Sequence, residues 1–163
     1  MMLNGIVPLT FAGVANARTY ENTPTSTGAK LRARLLLRSA RWDTASTDDF
    51  TGLKANGFTT MIDLRLPQEA AELPDLQRPF LTHVDAPLAA DAISAQLLPI
   101  SAYITHMQQH HDGYDQMVNG YVQMVAKPAY QVSVAAALTT ALTADGGVVF
   151  HCSRGKDRTG IIA

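Results

Sequence analysis

Only one cysteine, Cys152, occurs in the 163 residues. That excludes an intramolecular disulfide framework and any zinc site built from several cysteines, and it suits a reducing compartment. Neither sign of charge dominates, with 13 Lys and Arg against 14 Asp and Glu and a net charge of -1. No broad basic face therefore directs the chain to nucleic acid or to an anionic membrane. Long hydrophobic runs are missing as well, since no stretch approaches the roughly 18 apolar residues that a membrane-spanning helix needs. Internal repeats and low-complexity tracts are also absent. What is present is 47% hydrophobic and 17% charged residues, which describes a single globular domain over residues 1–163 with a core of its own. Any anion site in such a chain has to be built locally, and the lone thiol is either packing or chemistry.

The opening MMLNGIVPLTFAGVANA ends in Ala15-Asn16-Ala17, a triplet resembling a signal-cleavage site. No Lys or Arg precedes it and Pro8 interrupts the apolar run, so the expected location is cytoplasmic and secretion lacks a clear signal peptide. The order of elements predicts an α/β fold with a central, mostly parallel sheet flanked by helices. Arg34 to Arg38 reads as a strand. Ser46-Thr47-Asp48-Asp49 then starts a helix that Gly57 can end. Thr59 to Leu64 and Leu81 to Ala86 read as further strands. Ile100 to Gln109 and Tyr114 to Val125 are Met-rich and helical in character. After Pro128, the three- and four-residue spacing of Val132, Ala135, Leu138, Ala141 and Leu142 predicts an amphipathic helix with those residues on its buried face. Asp145-Gly146-Gly147 stops it, and Val148-Val149-Phe150 is a continuous apolar run, as in a parallel strand covered on both faces.

That strand delivers His151 and Cys152 to its carboxyl end, where open α/β sheets place their ligands. The loop His151-Cys152-Ser153-Arg154-Gly155-Lys156-Asp157-Arg158-Thr159-Gly160 leads into Ile161-Ile162-Ala163, the expected start of a helix. Successive loop N–H groups can converge on an oxyanion there. Arg158, six positions after Cys152, can return a guanidinium fork over the same nest. In that positive potential the thiol should be substantially ionised at neutral pH, which makes it a nucleophile aimed at phosphorus.

His-Cys, five residues, Arg and Thr resembles the signature of the cysteine-dependent protein tyrosine phosphatase superfamily. The GKDRTG form resembles the tyrosine-phosphatase-like branch that includes mycobacterial and listerial secreted phosphatases. Upstream, Gly13-Val14-Ala15-Asn16-Ala17-Arg18 resembles that branch's Asn-Phe-Arg-Asp element, with Ala17 for the aromatic and Thr19 for the acid. Leu36-Leu37-Arg38-Ser39 resembles its strand, and Ile62-Asp63-Leu64-Arg65 with Glu69 its Asp-Leu-Arg-x-x-x-Glu element. The resemblance implies that Cys152 attacks phosphorus and that Arg158 holds the phosphoryl oxygens. It assigns Ser153, Arg154, Gly155, Lys156, Asp157 and Arg158 to substrate binding. His151 would orient the loop and tune the thiolate, Thr159 would give its hydroxyl to the sulfur, and Lys156 would favour a second phosphate. Asp157 is the candidate general acid, with Asp85 and Asp91 as rivals. The implied substrate is a phosphorylated protein or a phosphoinositide, and no metal or organic cofactor is required.

Blander readings stand beside these. Lys156 equally fits a solvated charge, Asp157 a structural partner of a neighbouring N–H or Arg, and Arg65 with Glu69 an i,i+4 helix pair or a structural clamp. His83, His106, His110 and His111 lack partners at metal-ligand spacing. The rival functions are a phosphoryl-binding module without turnover and a rhodanese-like sulfur carrier or redox enzyme, the latter disfavoured by Arg158-Thr159. The sequence stops three residues after Gly160, so the expectation is a phosphatase domain truncated in its C-terminal helical part.

Overall fold

A computed structural model describes residues 5–88, 105, 109 and 113–163. Among them, six strands form one sheet: β1 (Ile6–Pro8), β2 (Arg18–Tyr20), β3 (Leu36–Ser39), β4 (Phe58–Asp63), β5 (Thr82–Asp85) and β6 (Gly147–His151). Their order is β1-β2-β3-β6-β4-β5. The pairs β3–β6, β6–β4 and β4–β5 are parallel, whereas β1–β2 and β2–β3 are antiparallel. The mostly parallel α/β sheet expected from the sequence is thus present. Strands β1 and β2, three residues each, extend one edge and were not foreseen.

The central strand is β6, buried along its whole length, which is why Val148-Val149-Phe150 carries no polar alternation. Its residues alternate between two cores. Val149 joins Leu37, Met61, Trp42, Phe50, Leu53 and Phe58 on one face. Val148 and Phe150 join Ile62, Leu64, Leu88 and Ala137 on the other.

Helix α1 (Thr47–Ala55) covers the first face through Phe50 and Leu53. It starts in a capping box, with the Ser46 hydroxyl accepting from the Asp49 amide and the Asp49 carboxylate accepting from the Ser46 amide. It ends at Gly57, whose φ of 80° is open to glycine at little cost. The other helices are α2 (Pro67–Glu72), α3 (Gly113–Ala126), α4 (Pro128–Thr143) and α5 (Asp157–Ile162).

Several sequence expectations shift. The strand expected at Arg34–Arg38 runs from Leu36 to Ser39, because Arg34 takes a left-handed φ of 58° that no strand accommodates. The next two strands are each offset by a residue at their ends. The helix after Pro128 forms, but not with the expected face inward. Val132 and Leu142 are 70% and 86% exposed, and Leu138 is exposed too, while Ala137 is fully buried. Tyr130, Val134 and Ala137 make the contact with the sheet. Of the segment Ile100 to Gln109, all but Thr105 and Gln109, both helical, lies outside the described residues.

Candidate active site

The loop from Cys152 to Lys156 joins the carboxyl end of β6 to α5. Two side chains from neighbouring elements fix its backbone from outside. The Asn16 amide donates to the carbonyls of Arg154 (3.0 Å) and Gly155 (2.9 Å). Arg38, on β3, donates to the carbonyls of Gly155 (3.2 Å) and Lys156 (3.1 Å). In a trans peptide the C=O of one residue and the N–H of the next point in opposite directions. Holding these three carbonyls outward therefore turns the amides of Gly155, Lys156 and Asp157 to the other side of the loop.

Gly155 makes this turn feasible: its φ is 65°, and a Cβ there would lie 2.4 Å from the Ser39 carbonyl group. Asn16 is itself left-handed at φ 60°, a conformation that asparagine tolerates better than most residues. Arg18 donates to the Asn16 backbone carbonyl at 2.9 Å and to its side-chain oxygen at 2.5 Å, which leaves the amide nitrogen to face the loop.

Cys152 is 3% exposed. Burial pushes its thiol up, but the hydroxyl and amide of Thr159, the charge of Arg158 and the amide of Arg154 outweigh burial and bring it below its ordinary value. Thr159 is fully buried, and its hydroxyl finds no other hydrogen-bond partner among the described residues.

Arg158 is held by Glu69, with Nη1 donating to Oε2 at 2.5 Å and Nη2 to Oε1 at 2.9 Å. Ser153 sits in the same knot, donating to Glu69 Oε1 at 2.9 Å and accepting from Arg158 Nη2 at 3.1 Å. Glu69 is placed by α2, where it also accepts the Leu66 amide at 2.9 Å at the helix start. Burial raises its pKa, and the contacts with Arg158, Leu66 and Ser153 reverse the shift, taking it down to about 2. Of the two readings given for Arg65 and Glu69, the helix pair is not made, and each clamps other residues. Arg65 precedes α2 and turns to Asp63 and Asp75 instead.

Asp157 opens α5, and its Oδ1 accepts a hydrogen bond from the Tyr121 hydroxyl of α3. Lys156 Nζ lies 3.9 Å from the same carboxylate and is 76% exposed, as is fitting for a solvated charge. Arg154 is exposed as well. Together with Arg41, Asn16, Thr44 and Ser153, these two cations line an open groove of about 450 Å³ beside the loop. Asp85, one rival acid, is exposed at the end of β5, two strands from His151 in the sheet. Asp91 lies outside the described residues.

His151 is fully buried, with its ring against two carboxylates. Nε2 lies 3.1 Å from Asp75 Oδ2 and Nδ1 3.9 Å from Asp63 Oδ1. Asp75 also accepts the Trp42 amide at 2.6 Å. Burial raises the Asp75 carboxyl, and His151 and Arg65 bring it below the usual carboxylate range. Asp63, Asp75 and His151 place three metal-ligand atoms within 4.8 Å of one another. Arg65 seats its guanidinium on both carboxylates, at 2.7 and 2.6 Å, so a resident cation already occupies this cluster.

The sequence had marked the loop but had given no role to Asn16, Arg38 or Tyr121, and had read Glu69 only as a partner or clamp for Arg65, not for Arg158. Asn16, Arg38 and Glu69 lie in segments flagged only by resemblance, and nothing local to Tyr121 signals its partner 36 residues away. Among the described residues no helix is long and apolar enough to cross a membrane. A search of curated proteins finds no match. The profile of the tyrosine phosphatase family, in contrast, matches residues 9–163. That span includes the Cys152 loop and the Asn16, Arg38 and Glu69 segments that hold it, and the chain therefore belongs to the tyrosine phosphatase family.

Proposed function

We propose that the chain hydrolyses phosphate monoesters through a cysteinyl-phosphate intermediate. The observation that carries this reading is the thiol of Cys152, brought below its ordinary pKa at the foot of a loop beside the Arg158 guanidinium, which Glu69 fixes. The thiolate attacks phosphorus, an S–P bond forms and the P–O ester bond breaks. Arg158 and the inward amides take up the charge on the phosphoryl oxygens. Asp157 gives its proton to the leaving oxygen, then accepts one from the water that attacks the thiophosphate as the thiolate departs toward Thr159. His151 supports the loop from below. No metal or organic cofactor enters this scheme.

Phosphotyrosine is the favoured substrate, with phosphoserine, phosphothreonine and phosphoinositides as further candidates. The GKDRTG loop supports the latter through its resemblance to the mycobacterial and listerial branch, as do the cations of the adjoining groove. The test is turnover of p-nitrophenyl phosphate, phosphopeptides and phosphoinositides by the wild type and by Cys152→Ser. Wild-type turnover that Cys152→Ser abolishes supports the reading. Tight oxyanion binding without turnover in the wild type would instead assign a phosphoryl-binding module.

A further inference from the structure

We infer that Tyr121 is a positioning residue for the proton transfer, holding Asp157 by one carboxylate oxygen so that the other carries the proton to the leaving group. This rests on the reading of Asp157 as the general acid. Asp157 lies at the first position of a six-residue helix, with a side chain about one-third exposed. A contact from another element holds it: the Tyr121 hydroxyl of α3 donates to Oδ1. Lys156 Nζ also lies 3.9 Å from that oxygen. Each of its terminal rotatable bonds is free in solvent, whereas the phenol hangs from a fourteen-residue helix and turns on few bonds.

The direction of donation is fixed by acidity. The hydrogen bond to Asp157, then burial, then the charges of Asp157 and Cys152 push Tyr121 up to about 12, so the phenol keeps its proton and donates it to Oδ1 in a hydrogen bond. Tyr121 is therefore a donor and never the proton source. During transfer to Cys152, the P–O bond breaks and the proton on Asp157 Oδ2 moves to the ester oxygen. The charge left on the carboxylate is met at Oδ1 by the phenol O–H. During hydrolysis the same carboxylate takes a proton from water, and Tyr121 keeps its own. A hydrogen bond to the charged form in this way steadies the carboxylate at the point where charge develops.

The experiment measures kcat/KM of the full-length protein for a series of aryl phosphates of rising leaving-group pKa. The chains compared are wild type, Tyr121→Phe, Asp157→Asn and the double variant, with the thermal midpoint of each as a check on folding. Tyr121→Phe should lose about tenfold on phenyl phosphate and little on p-nitrophenyl phosphate, a fraction of the effect general acids exert. In the Asp157→Asn background it should cost nothing further. An equal loss on all esters, or an undiminished loss in the double variant, would overturn the positioning role. If Asp157→Asn shows no leaving-group dependence, the acid assignment itself fails and Tyr121 falls with it.

Discussion

Glu69 binds both terminal nitrogens of Arg158, a residue 89 positions further along the chain, at 2.5 and 2.9 Å. The contact presets the guanidinium plane before any ligand arrives, and the Ser153 hydroxyl ties the start of the loop into the same geometry. Glu69→Gln keeps the shape but loses the ionic grip. It should lower kcat/KM by about 10- to 100-fold, as losing the outer partner that orients a metal-bound histidine does. Steady-state kinetics with p-nitrophenyl phosphate measure this, and a variant within twofold of wild type contradicts it.

The same pair should leave a mark on acid stability. Glu69 ionises at about 2 in the folded chain against an ordinary 4.5. A depressed folded-state value stabilises the fold fully above the unfolded pKa, and that contribution is lost as pH falls through the folded one. Wild type should therefore lose its stability advantage over Glu69→Gln between about pH 4.5 and 2. Denaturant midpoints of the two proteins across that window test the expectation; parallel curves would speak against it.

Asn16 performs two tasks, one with its backbone at φ 60° and one with its amide on the loop carbonyls. Asn16→Gly retains the first and removes the second. Asn16→Ala removes both and adds about 1 kcal/mol or more of left-handed strain. Asn16→Gly should thus reduce kcat with little change in thermal midpoint, while Asn16→Ala reduces both. Equal midpoints for the two variants would show that the backbone conformation costs nothing.

The thiol depends on Thr159. Its hydroxyl and amide are the largest influences opposing the burial that raises Cys152. Thr159→Ala deletes the hydroxyl, so the pKa of Cys152 should rise, and Thr159→Ser should restore it. The pH dependence of iodoacetamide alkylation reads this directly. An unchanged midpoint in Thr159→Ala would transfer the effect to Arg158 and the backbone.

How much of this was legible in sequence depends on how local the cause is. The loop could be read because its residues are contiguous and each has a type suited to its task. β6 was legible because an apolar run between two glycines and a polar loop has few other uses. The capping box of α1 is equally local, spanning Ser46 to Asp49. The buried face of α4 was not legible. Apolar residues surround that helix, so spacing cannot select a side, and Ala137 wins because a small residue lets the helix approach the sheet closely. Glu69, Asn16, Arg38 and Tyr121 act on partners 36 to 139 residues away, and only the folded chain brings them to the loop.

The central claim is that Cys152 carries the phosphoryl group in the reaction. The most direct measurement is rapid acid quench of the enzyme during turnover of an aryl phosphate, followed by mass spectrometry of the peptide containing Cys152. One phosphoryl group should be found on the Cys152 sulfur in the wild type, more of it when Asp157→Asn slows the attack by water, and none in Cys152→Ser. Turnover with no phosphoryl group on Cys152 in either the wild type or Asp157→Asn, together with undiminished activity of Cys152→Ser, would contradict the account.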